Sequence, residues 1–245
     1  MRVVSYNIHH GVGIDGRLDL ERTAATLEAT GAELVGLQEV DRHFGARSAF
    51  VDQAGWLGDR LGMHVAFGAT IDLSPPAADR PRREYGNAVL AVPEILGWRN
   101  LLLPRPSGTE QRGLLEALVH VDGEPVRFLV THLQNSSQPA RLAQADAIRA
   151  VVDDLPAPVV LAGDLNARAG SREVRRLTAV LDDAWATAGQ GRGGTFPATI
   201  PRTRIDYVLA SPDLRAAAAV VVDSRASDHR PVRADLESAG REDGG

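Results

Sequence analysis

No cysteine occurs among the 245 residues, so disulfides and thiolate metal sites are excluded and nothing points to an oxidising compartment. Lysine is absent too. All 27 cationic residues are arginine, for which codon bias is sufficient and no function is read. Long apolar runs are missing as well. The opening "MRVVSYNIHHG" is broken by Asn7, His9 and His10 before it reaches the roughly 7–15 apolar residues of a signal peptide. No stretch approaches the ~20 residues of a membrane helix, so the expectation is a monomeric, cytoplasmic protein with no transmembrane segment. A positive field is also lacking: the net charge is -5, which makes long nucleic acid a poor partner.

What is present is an ordinary globular composition, 44% hydrophobic and 24% charged, ample for a sizeable core. Short runs rich in Val, Leu and Ile each end on a polar side chain. "RVVSYN" ends at Asn7, "AELVGLQEV" carries Glu39, "VRFLVTHL" delivers His132, and "APVVLAGDLN" delivers Asp164 and Asn166. "TRIDYVLA" starts a strand at Asp206, and "SDHRPVRADL" sets Asp228 and His229 just before another. Helical patterns lie between some of them. "RLDLERTAATLEATG" places Leu20, Ala24 and Leu27 on one face and closes at Gly31. "QPARLAQADAIRAVVDDL" aligns Leu142, Ala145, Ile148 and Val152, and "SREVRRLTAVLDD" opens on Ser171 as a helix cap. This predicts one α/β domain over residues 1–236 and a disordered tail over 237–245, with "SPPAADRPRR" as a mobile surface loop and "AAAAVVV" as a buried strand.

The residues at the run ends are mostly oxygen donors: Asn7, Glu39, Asp164, Asn166, Asp206 and Asp228, joined by the imidazoles of His132 and His229. Such a set suits Mg²⁺ or Mn²⁺, which take few protein carboxylates together with water and phosphate oxygens. It suits zinc poorly, since the one closely spaced histidine pair is His9–His10. That pair either lines a pocket or forms a polar turn before Gly11; both readings stand. The alternating geometry of an extended segment puts Asp164 and Asn166 on one face. Arg112 is, by its chemistry, a candidate phosphate contact.

The ordered set "SYNIHHG", "LQEV", "YGNAVL", "THL", "GDLNA", "GTFP", "RIDYVL" and "SDHRP" resembles the endonuclease/exonuclease/phosphatase (DNase I-like) superfamily from the first strand to residue 231. The resemblance implies a four-layer α/β sandwich, two mixed β-sheets packed face to face with helices outside. It implies a divalent-metal-dependent hydrolase of phosphate esters, acting by in-line attack of an activated water. Residue by residue, Glu39 assisted by Asn7 resembles the principal metal site, and Asp228 a second metal shell or second cation site. Asp164 resembles the residue that orients or deprotonates the water, and Asn166 the holder of a phosphate oxygen. His229 resembles the histidine on the scissile phosphate, Asp206 its orienting carboxylate, and His132 a histidine near the leaving oxygen. Asn87 and Thr195 resemble supporting positions around the phosphate. The acidic charge and the segment "HHGVGIDGRLDL" favour a small-molecule or lipid-headgroup phosphate ester, with DNA or RNA cleavage as the alternative.

Overall fold

The computed structural model describes residues 1–156 and 158–239. Two six-stranded sheets form its centre. The first runs in the order β11–β12–β1–β2–β4–β3. Its strands are β1 (Arg2–Asn7), β2 (Leu34–Arg42), β3 (His64–Leu73), β4 (Arg83–Ala91), β11 (Leu214–Val221) and β12 (Val232–Ser238). The second runs β5–β6–β7–β8–β10–β9. It comprises β5 (Ile95–Leu102), β6 (Gly113–Val121), β7 (Glu124–His132), β8 (Val159–Asp164), β9 (Asp182–Asp183) and β10 (Asp206–Ala210). Both sheets are mixed: β1–β2 and β7–β8 are parallel pairs, and the other pairs between named strands are antiparallel.

Side-chain alternation sorts each strand between two cores. In β1, Val3 enters the core between the sheets, while Val4 and Tyr6 face the outer core with Ala24, Leu27 and Leu57. In β8, Val160 and Ala162 point between the sheets, and Val159 and Leu161 point outward to Ile148 and Val152. The outer helices are α1 (Leu20–Thr30) and α2 (Gln53–Leu61) on the first sheet, with α3 (Gln138–Asp154) and α4 (Arg172–Leu177) on the second. A short α5 (Ala184–Ala188) packs beside β10 and β11. The result is the expected four-layer sandwich, helix–sheet–sheet–helix.

The local signals account for the helix ends. Asp19 caps α1 by accepting from the Arg22 amide, and Gly31 closes it in the left-handed region at φ 60°. Ser137 caps α3 through the Ala140 amide, and Pro139 lies in the first turn. The buried stripe of α3 includes Ala145, Ile148 and Val152 as expected, but Gln144 is buried where Leu142 was placed. Ser171 caps α4 as predicted, yet the helix ends at Leu177, well short of the pattern's reach. The "AAAAVVV" run is a half-exposed edge strand: β11 pairs with β12 as its one neighbouring strand in the sheet, and a bulge between Ala216 and Ala218 leaves Ala217 and Val220 exposed. The expected tail loses Glu237 and Ser238 to β12; residues 240–245 lie outside the described residues. The 74–82 segment carries no helix or strand.

Candidate active site

At one end of the sandwich the inward-facing positions switch from apolar to polar. Following the two-residue period, Val126, Phe128 and Val130 in β7 lead to His132. Val160 and Ala162 lead to Asp164, and Val208 and Ala210 share a face with Asp206. Register then aligns the three polar ends. His132 pairs with Asp164 across the parallel ladder, and Asp206 pairs with Asp164 across the antiparallel one. One row of the second sheet therefore reads His132, Asp164, Asp206.

The first sheet supplies Asn7 from the end of β1 and Glu39 from β2. Leu37 pairs with Ala88 and Val40 with Gly86, so Gln38 and Glu39 together oppose the single residue Asn87. This β-bulge holds Glu39 at φ 57°. Bulges re-aim side chains, and here the Glu39 carboxylate is delivered to Asn7. A Cβ at Gly86 would run into the Gly68 carbonyl oxygen, so the residue beside the bulge partner has to be glycine.

Asp164 is the hub. Its Oδ1 accepts from the Asn166 amide at 2.9 Å, and its Oδ2 accepts from Asn7 Nδ2 at 3.0 Å. His132 Nε2 lies 3.4 Å and His229 Nε2 3.7 Å from that same Oδ2. Asn7 Nδ2 also donates to Glu39 Oε1 at 3.1 Å, and Asn7 Oδ1 accepts from the His9 amide. The Asn7 amide thus ties the half-buried Glu39 carboxylate to the buried one of Asp164.

His229 arrives from the loop before β12. Ser227 Oγ donates to the Asn7 carbonyl at 2.7 Å and accepts from the His229 amide, stapling the loop to β1. His229 Nδ1 meets Asp206 Oδ2 at 2.9 Å, and Phe196 packs on the ring with centroids 4.8 Å apart. Burial disfavours charge on this imidazole, but Asp206 and Asp164 outweigh it and raise its pKa to about 10. The Asp164 carboxyl is pushed well above the usual carboxylate range, first by burial and then by Asp206. At neutral pH His229 is therefore a cation with Nδ1–H on Asp206 and Nε2–H turned toward Asp164.

His132 has the opposite character. Burial, Arg112 and His229 hold its pKa well below the ordinary value. Arg112 Nη1 lies 3.0 Å from His132 Nδ1, and a guanidinium only donates, so Nδ1 accepts and Nε2 keeps the hydrogen. Asn166 Nδ2, 3.0 Å from Nε2, donates to the Leu133 carbonyl. Asn166 itself sits at φ 47°, a conformation asparagine tolerates well.

The structure thus brings together Asn7, Glu39, His132, Asp164, Asn166, Asp206 and His229. Arg112, expected at the phosphate, is only 5% exposed and stands behind His132, with Glu110 at 3.0 Å. Asn87 is buried and donates across the sandwich to the Gly113 carbonyl. Thr195 is buried and its hydroxyl serves Ile205, Asp206 and Thr203 of the main chain. Asp228 is half-exposed, with one oxygen 3.3 Å from Ser227 Oγ and 3.8 Å from His9 Nδ1. Sequence reading assigned no role to Ser227; its position two residues before His229, as in a serine turn, was the available signal. His9 and His10 fall beside Glu39, with one ligand atom from each of the three within 4.8 Å of the others. This accessible carboxylate and its imidazole neighbours form a donor set that fits a divalent cation.

The match to the Endonuclease/Exonuclease/phosphatase family model spans residues 4–229. The chain belongs to that family. A solved endonuclease/exonuclease/phosphatase from Beutenbergia cavernae DSM 12333 shares 30% identity over 98% of this chain and 72% of its own, with a TM-score of 0.83. The mannosyl-6-phosphatase of Bacteroides thetaiotaomicron VPI-5482 shares the fold at 18% identity and a TM-score of 0.77, over 97% of this chain and 99% of its own. The human Nocturnin catalytic domain, solved with a bound sulfate, does so at 20% identity and 0.72, over 98% and 93%. No curated protein matches the chain. Family membership and the convergent site make this chain a phosphoester hydrolase. Among the described residues no helix is long and apolar enough to cross a membrane.

Proposed function

We propose that this chain hydrolyses small or lipid-derived phosphate esters with a divalent cation, Mg²⁺ or Mn²⁺, at Glu39. The observation that carries the reading is the hub at Asp164 Oδ2, where Asn7, His132 and His229 converge within 3.0, 3.4 and 3.7 Å. When bound, the cation supplies Lewis-acid stabilisation of charge on a phosphoryl oxygen.

The side chains divide the rest of the work. Asp164, made more basic by burial beside Asp206, orients the water and takes its proton as the water oxygen bonds to phosphorus. The imidazolium of His229 donates from Nε2 to a phosphoryl oxygen, and Asp206 keeps it charged and aligned. Asn166 holds a second phosphoryl oxygen. His132, neutral and with its hydrogen on Nε2, donates to the ester oxygen that departs. Asn7 fixes the spacing between metal carboxylate and base, Asp228 joins the outer shell of the cation, and Asn87 and Thr195 stiffen the walls. A net charge of -5 offers no field to gather a long polyanion, which favours compact substrates.

The test is hydrolysis of bis-p-nitrophenyl phosphate, p-nitrophenyl phosphate and supercoiled plasmid with Mg²⁺, Mn²⁺ or EDTA. Turnover of a nitrophenyl ester that EDTA abolishes, and that Asp164→Ala and His229→Ala lose, is the expected result. Preference for plasmid would replace the small-ester reading with a nuclease, and metal-independent turnover would overturn the mechanism.

A further inference from the structure

The turn after β1 presents two adjacent histidines to the carboxylate that the β2 bulge carries. His9 and His10 share one tight turn with left-handed backbone at φ 46° and 43°, and their rings meet edge to face with centroids 4.5 Å apart. Together with Glu39 they offer three ligand atoms within 4.8 Å of one another. Opposed ligands about 2.1 Å from a common ion stand ~4.2 Å apart, so small side-chain rotations close the set.

Two further observations point to a bound ion. His10 Nδ1 is buried without a hydrogen-bond partner, a costly state for an imidazole nitrogen unless a ligand satisfies it. His9 Nδ1 lies 3.2 Å from the Val12 carbonyl. Since a carbonyl only accepts, Nδ1 carries the hydrogen and Nε2 keeps a bare lone pair. Metal-ligating histidines are oriented by this kind of bond to the main chain. The turn is also braced: Gln53 Nε2 donates to the His10 carbonyl at 2.7 Å, and the His9 amide donates to Asn7. Asn7 meanwhile spends its Nδ2 on Glu39 and Asp164, which makes it the orienting partner of the metal carboxylate.

We infer that His9 and His10 ligate the cation alongside Glu39, giving a two-imidazole, one-carboxylate site selective for Mn²⁺ and other transition-metal ions over Mg²⁺. The inference rests on the metal reading above and deepens it. Mg²⁺ prefers oxygen donors and keeps its waters, whereas imidazole nitrogen favours the later divalent ions. The three ligands leave coordination positions for water and a phosphoryl oxygen.

Competition calorimetry of Mn²⁺ against Mg²⁺, together with pulsed electron paramagnetic resonance of the bound Mn²⁺, tests it. The chains are wild type, the double variant His9→Asn/His10→Asn, and Glu39→Gln. Asparagine is chosen because it accepts positive φ, and thermal unfolding verifies that the double variant folds. Wild type is expected to favour Mn²⁺ and to show ¹⁴N hyperfine coupling from imidazole. The double variant should lose that coupling and on the order of tenfold or more of the selectivity. Bound Mn²⁺ without ¹⁴N coupling, or selectivity unchanged in the double variant, overturns the inference but leaves a Glu39 cation site standing if Glu39→Gln loses binding. Absence of divalent binding in wild type overturns both readings.

Discussion

Replacing Asp206 with Asn removes one negative charge from a buried position while keeping its shape. In the parent chain the His229 imidazole titrates near pH 10, because the carboxylates of Asp206 and Asp164 outweigh the cost of burial. At pH 7.5 only about 0.3% of it is then neutral. Without the Asp206 charge, burial is opposed only by Asp164 and, more weakly, Asp228, and the pKa should fall; at about 6.5, about 9% would be charged at the same pH. The donor on the phosphoryl oxygen is therefore depleted roughly tenfold, and kcat should drop at least that far. Acid restores the imidazolium, which near pH 5.5 is again the major form if its pKa is about 6.5, but the raised Asp164 carboxyl is then protonated as well, so turnover should not recover. The same pair has a stability signature of defined sign. A folded-state pKa above the unfolded one adds stability that is complete below pH 6.5 and is lost as pH rises toward 10, on the order of 5 kcal/mol. Nitrogen-15 NMR titration of the His229 ring in metal-free protein gives the direct reading. A wild-type ring that titrates near 6.5, or an Asp206→Asn ring that still titrates near 10, would refute the reasoning.

Three other outcomes follow from particular contacts. Glu39→Gln keeps the contact to Asn7 but removes the carboxylate charge; metal-dependent turnover should fall at least about a hundredfold, with stability within about 1 kcal/mol of wild type by denaturant unfolding. Arg112→Met removes the donor to His132 Nδ1, so the His132 pKa should rise toward its ordinary value in an NMR titration. Activity should drop about ten- to a hundredfold, as loss of a hydrogen bond to a charged group worth roughly 1.5–3 kcal/mol implies. Gly86→Ala drives a methyl into the Gly68 carbonyl opposite the bulge, costing about 1–3 kcal/mol in urea unfolding and loosening Glu39 with it.

Much of this site was legible because alternation does two jobs. The period that sends Val126, Phe128 and Val130 between the sheets also sends His132 there, and the same holds for Val160, Ala162 and Asp164. A polar residue at the end of an inward-facing apolar series is thus marked as a site residue by position as well as by type. What alternation cannot give is which strand lies beside which. That came from the resemblance, and the sheet order and register bear it out for the His132–Asp164–Asp206 row. Helix ends were readable where a cap speaks locally, as at Asp19, Ser137 and Ser171. The end of α4 was not, because apolar residues at Ala179, Val180 and Leu181 extend the pattern past Leu177, although Thr178, Val180 and the two aspartates that follow are weak helix formers.

Arg112 and His9–His10 mark two places where residue chemistry alone stops short of the contacts. Arginine suits phosphate, so "EQRGLLEA" invited a phosphate contact; the structure adds that the guanidinium bonds His132 Nδ1 and sets that ring's tautomer, a pairing no sequence pattern encodes. The histidine pair had no period to place it, since both residues lie in a turn with left-handed backbone that no strand or helix pattern encodes. Only the β2 bulge, visible as a two-against-one register with Asn87, carries Glu39 to them. The bulge therefore does more than present a carboxylate: it determines that the carboxylate's neighbours are imidazoles, and so which cation this end of the sandwich should prefer.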